Sequence, residues 1–99
     1  MSTPRVWGFV IDEVNTEKMA RHGIAPRQVV QVLDNNPWIG PNRRSQKAPF
    51  LMIGLDDGGK CITIPIEPSA GDRHVWRPVT AHPCKKADAV QLERRRRRT

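Results

Sequence analysis

Residues 73–84 of this chain, Arg-His-Val-Trp-Arg-Pro-Val-Thr-Ala-His-Pro-Cys, gather many of the groups that could move a proton or hold an anion. The imidazoles of His74 and His82 can give or take a proton near neutral pH. Arg77 can clamp a phosphate oxygen through its guanidinium, and the Thr80 hydroxyl stands two residues from His82. Trp76 offers a ring on which a base could stack. Elsewhere His22 adds a third imidazole, and Arg43, Arg44, Lys60 and Lys85 are candidate phosphate contacts. Metal-free RNA cleavage asks for a base to draw the proton from a 2′-hydroxyl and an acid to protonate the leaving 5′-oxygen. It also asks for cations to stabilise the crowded phosphorane. This set could supply all three, and RNA is the expected partner.

The geometry of an extended strand limits the choices. Alternation sends His74, Trp76, Pro78, Thr80 and His82 to one side, expected to be the working face, and Val75, Arg77, Val79 and Ala81 to the core side. His74 and His82 would then stand roughly 26 Å apart, too far to serve one phosphate. A cooperating pair must therefore join His82 to His22, delivered from the end of a helix. The expected catalytic set is Arg77, Thr80, His82 and His22, with Arg77 re-aimed by a bulge near Pro78. Plainer roles stand beside each of these. His82 can be an exposed strand end, His22 a C-capping side chain at a helix dipole, Arg77 an ion-pair partner, Thr80 a β-former, and Trp76 packing under a loop.

Several chemistries find little support. The order His82-Pro83-Cys84 with Cys61, His74 and His22 matches no paired zinc-ligand spacing, so neither metal nor other cofactor is expected. No glycine-rich phosphate loop and no nucleophilic triad is present. No apolar run approaches the roughly 18 residues of a membrane span, and the N-terminus lacks a signal-peptide pattern. A cytoplasmic protein with no membrane partner is expected, with Cys61 and Cys84 as free thiols. The formal net charge is +7, of which Arg94 to Arg98 contribute five, so the rest of the chain is only +2. The tail therefore carries most of the long-range field.

Ninety-nine residues suffice for one domain with one core. Met1 to Arg5 is expected to be disordered and 95–99 frayed. Val6 to Ile11 reads as a strand, and Asp12 to His22 as a helix closed by Gly23. A second helix begins at Pro26, with Ala25, Val29, Val32 and Leu33 on one stripe, and ends at 34–37. Trp38 to Lys47 reads as a loose edge strand and Pro49 to Asp56 as a buried one. Asp57-Gly58-Gly59 marks a hairpin, and Lys60 to Glu67 returns with Ile62, Ile64 and Ile66 inward. Pro65 suggests an edge or bulge in that return strand. After residues 73–83, Cys84 to about Arg95 forms a last helix, with Cys84, Ala87, Val90 or Leu92 toward the sheet and Lys85, Lys86 and Asp88 in water. The expected fold is α+β, with helices covering one face of a largely antiparallel meander.

His22-Gly23-Ile24 at a helix end, the valine-rich second helix, and Ile53-Gly54 with its hairpin resemble the BrnT toxins of the wider RelE/ParE group. So does the segment Arg77-Pro78-Val79-Thr80-Ala81-His82 entering a basic helix. The resemblance covers about residues 9–95. It implies a RelE-like fold, two N-terminal helices and a C-terminal helix on a 4-stranded mostly antiparallel sheet. It also implies a ribonuclease toxin that arrests translation and is neutralised by a BrnA-like antitoxin of ribbon-helix-helix type, with a toxin homodimer in that complex. Departures are specific. Thr80 and His82 stand where the family pattern has Ser and a second Arg, and Asp88 and Leu92 where it has Glu and Tyr. They leave open a non-catalytic basic module, a degenerate toxin or adaptor contacting nucleic acid or an acidic protein.

Overall fold

The computed structural model describes residues 3–97. Its elements are β1 (Gly8–Phe9), α1 (Glu13–Ala20), α2 (Pro26–Asp34), β2 (Trp38–Pro41) and β3 (Phe50–Leu55), then β4 (Cys61–Pro68), β5 (Val75–Pro78), β6 (His82–Pro83) and α3 (Lys86–Arg97). The α+β class and the three helices are as the sequence suggests, but the sheet has six strands rather than four. It runs β1-β5-β4-β3-β2, with β6 on β4, and β1 lies parallel to β5. The sheet is therefore mixed, because the first strand joins its far edge instead of extending the meander.

Local chemistry explains the element ends. Asp12 and Asn15 exchange backbone-to-side-chain bonds of 2.9 Å in each direction, a reciprocal cap at the start of α1. Gly23 adopts φ +74° just past that helix, where a side chain would strain the turn. Pro26 opens α2, and Gln28 Oε1 accepts from the Ala25 N–H at 2.8 Å. Gly59, at φ +86°, closes the β3–β4 hairpin.

The even positions Phe50 and Met52, Ile62, Ile64 and Ile66, and Trp76 meet Met19, Ile24, Val29 and Val32 in the main core. α3 covers the opposite face instead of sharing that side. Its Asp88, buried and not in water as expected, accepts from Thr63 Oγ1 at 2.9 Å. Leu92 is buried, whereas Ala87 and Val90 are exposed. Polar Asp88 turns inward because Thr63, an odd position of β4, presents the hydroxyl that satisfies it.

Three further expectations are corrected. Pro65 lies in an interior strand, opposite Leu51 of β3, and not at an edge. It is tolerated because its other flank falls between β5, which pairs with 66–68, and β6, which pairs with 62–63. Cys61 and Cys84 form a disulfide, with Cα atoms 5.3 Å apart, where free thiols were expected. The pairing of β6 with β4 brings their backbones together, and Cys84 N–H donates to Cys61 O at 3.0 Å. Arg95, expected to fray, is fastened by its guanidinium to the Pro37 carbonyl and to Asn36 Oδ1. Arg98, with Thr99, Met1 and Ser2, lies outside the described residues; Arg5, expected in a disordered start, has its carbonyl 3.4 Å from His74 Nδ1. Among the described residues, no helix is long and apolar enough to cross a membrane.

Candidate functional site

The expected alternation inverts over β5 but holds from Thr80 to His82. Trp76 is only 7% exposed, packs edge-on against Phe50 at 5.6 Å between ring centroids, and donates from its indole nitrogen to the Arg73 carbonyl. It is a core residue and cannot stack a base, contrary to expectation. Pro78 is buried beside it. Strand geometry then stops, and 79–81 form an irregular link before β6. That break resets the parity, so that Ala81 is buried while Thr80 and His82 are half-exposed. His74, outside any such set, stacks on Trp7 at 3.8 Å.

Arg77 is also placed differently from the clamp expected of it. Its Nε and Nη2 donate to both Asp12 carboxylate oxygens at 2.7–3.1 Å, and its Nη1 is 3.6 Å from Glu67 Oε1. A guanidinium gripped by two carboxylates is poorly free to bind a third anion. The Asp12 carboxyl is held below its ordinary pKa, first by the Asn15 N–H and also by Arg77. Arg77 thus fastens the start of α1 to β5. His22 lies ten residues beyond Asp12, roughly 15 Å along a helix axis, so Arg77 and the imidazole site serve opposite ends of α1.

At the other end the sequence reading and the structure meet. The rings of His22 and His82 lie edge to face, 5.9 Å between centroids. His22 is exposed and His82 half-buried. His82 Nδ1 is 3.0 Å from the Pro83 carbonyl, which can only accept, so Nδ1 is the donor in that contact and Nε2 is left without a protein partner among the described hydrogen bonds. His82 also lines a cleft of about 270 Å³ between the 42–48 loop and the 79–85 segment, together with Arg44, Thr80 and Lys85. The Thr80 hydroxyl oxygen is buried there with no protein hydrogen-bond partner. Such an atom is unusual in a folded protein unless a ligand or solvent satisfies it.

Thr80, His82, Arg44 and Lys85 thus line one cleft, and His22 meets His82 without lining it, while Arg77 and Trp76 do neither. Arg43 lines an adjoining cavity. Lys60, exposed in the hairpin, does not line the cleft. Thr63, Asn42 and Ser45 complete the cleft and were missed. The register pairing Thr63 with His82 was the signal for Thr63, but it requires knowing that β6 returns to β4.

A larger cavity of about 730 Å³ lies between the hairpin and α3, lined by Asp56 and Asp57 as well as Arg95. Its two carboxylates make it a poorer seat for a polyanion. Among the described residues no group of three or more His, Cys, Asp and Glu side chains is arranged to hold a metal ion. In comparisons with protein-family models and with curated proteins, nothing matches the chain.

Proposed function

We propose that this protein is a metal-independent endoribonuclease, the toxin of a toxin–antitoxin pair. It would have a RelE-like fold of the BrnT kind and arrest translation in the cytoplasm until a BrnA-like antitoxin neutralises it. The observation that carries the enzymatic part is the approach of His22 to His82, which itself lines a cleft carrying Arg44 and Lys85. The toxin role, the antitoxin and a homodimer in its complex rest on the sequence resemblance.

In the proposed reaction, His82 Nε2 takes the proton of an RNA 2′-hydroxyl. The 2′-oxygen bonds to the adjacent phosphorus as the bond from phosphorus to the 5′-oxygen breaks. Protonated His22 gives its proton to that leaving oxygen. The products are a 2′,3′-cyclic phosphate and a free 5′-hydroxyl. Arg44 and Lys85 stabilise the phosphorane charge, and the buried Thr80 hydroxyl would reach a phosphate oxygen only by rotating its side chain toward the cleft.

The occupation of Arg77 by Asp12 and Glu67 favours a second reading, a non-catalytic basic module that contacts nucleic acid or an acidic protein. The two are separated by incubating purified protein with end-labelled RNA in EDTA at low salt. Cyclic-phosphate ends that disappear in both His82→Ala and His22→Ala support the enzyme. Salt-sensitive binding without cleavage leaves the module.

A further inference from the structure

The cleft has a neighbour. A cavity of about 550 Å³ lies on the other side of the 42–46 loop, and Asn42, Arg44 and Ser45 line both spaces. Its size falls within the roughly 300–1,000 Å³ of small-ligand sites. Pro41 and the half-buried Pro49 supply apolar walls, the buried Phe50 closes the floor, and Arg43, Ser45 and Gln46 add exposed polar groups to the lining. The walls are rigid. Phe50 is backed by Trp76, and the two prolines flank a loop braced where Asn42 donates to the Ala48 carbonyl at 2.8 Å and accepts from the Arg44 N–H at 3.1 Å. From Trp38 to Leu55 the sequence contains no acidic residue, while Arg43, Arg44 and Lys47 lie within it.

An apolar cavity lined also by hydrogen-bonding groups and by a cation shared with the next cleft matches one repeating ligand, a nucleotide whose base enters the cavity while its phosphate lies on the loop. We propose that this cavity is a nucleobase subsite for the nucleotide adjoining the scissile phosphate. Single-stranded RNA then crosses the 42–46 loop, with Arg44 between the two units and Arg43 on the next phosphate. A duplex is disfavoured, because a paired base must give up its pairing and stacking to enter the cavity. The proposal rests on the RNA reading of the adjoining cleft and adds a base-dependent component of recognition.

The test uses full-length His82→Ala protein, so that binding is read without cleavage. Fluorescence anisotropy compares a short single-stranded RNA with an oligonucleotide of equal length and charge that is abasic at successive positions. One abasic position should weaken binding on the order of 10-fold, as loss of a stacked base does. Adding Gln46→Ala and Pro49→Ala should erase most of that difference while leaving affinity for the abasic strand within about twofold. Thermal melting of each variant verifies that it folds. Equal affinity for intact and abasic strands at every position overturns the subsite and leaves the RNA reading standing. Absence of salt-dependent binding to either strand overturns both.

Discussion

Opening the Cys61–Cys84 bridge is the perturbation with the most to say about how the site is held. β6 meets β4 through only two residue pairs, Ile62 with Pro83 and Thr63 with His82, and Pro83 brings no N–H to the ladder. The disulfide, spanning 23 residues of sequence, is therefore a principal tie between His82 and the sheet. Loop-closure entropy for a loop of that length corresponds to about 3.4 kcal/mol of stabilisation in the chain-entropy model. For a domain near this size each kcal/mol moves the melting temperature by about 4–8 °C, so a shift of roughly 15–25 °C is expected. Melting of native protein with and without reductant, beside Cys61→Ala/Cys84→Ala, measures it. The reduced protein and the double variant should melt alike, and on the proposed nuclease reading both should cut RNA more slowly well below their melting temperatures because His82 no longer faces His22. Two titratable thiols in the untreated protein, or a shift under about 2 °C, would refute the reasoning.

Other outcomes follow from particular contacts. Arg77→Ala should lower the melting temperature by releasing the start of α1, yet leave the cleavage rate of folded protein within about twofold, since Arg77 is outside the cleft; a loss matching that of His82→Ala would return it to the chemistry. His82→Ala should lose at least about 100-fold in cleavage with little change in RNA affinity, the pattern of a proton-transfer group. The carboxyls of Asp12 and Asp56 are both held below their ordinary value of about 3.8, Asp56 first by the Gln28 amide and then by the Lys60 N–H. Their contribution to stability is thus complete above the unfolded value and lost as pH falls through the folded ones. Melting temperature measured from pH 5 to pH 2 should fall, and Asp12→Asn should flatten part of that fall. Gly54→Ala would place a methyl 2.9 Å from Val32 Cγ1 and 3.0 Å from Pro37 Cβ, costing about 1–3 kcal/mol in chemical denaturation.

Much of the architecture could be read from local signals. Pro26, Gly23 and the Asp57-Gly58-Gly59 turn each act through their own backbone preferences, and the elements they bound lie within a few residues of expectation. Ile62, Ile64 and Ile66 face the core because the pleat alternates along β4. The reading failed where a distant segment decided the matter. A bulge near Pro78 was expected, but nothing near Trp76 announces that it places Trp76, and not Arg77, toward the core. Asp88 reads as a surface residue until Thr63 is placed above it. The pairing of β1 with β5, and hence the mixed sheet, is equally invisible in either segment alone. The imidazole pair was legible by elimination, since strand geometry left His22 as the available partner for His82. The environment of Arg77 was not, because Asp12 lies 65 residues away.

That long reach gives the order of synthesis a consequence. The ribosome makes β1 and α1 first, but their partners in β5 and β6, with the arginine that grips Asp12, emerge only after α2 and the β3–β4 hairpin. A nascent or prematurely terminated product carrying His22 lacks the imidazole opposite it. On the proposed nuclease reading, the imidazole pair is therefore assembled only once β6 has left the ribosome and folded back onto β4.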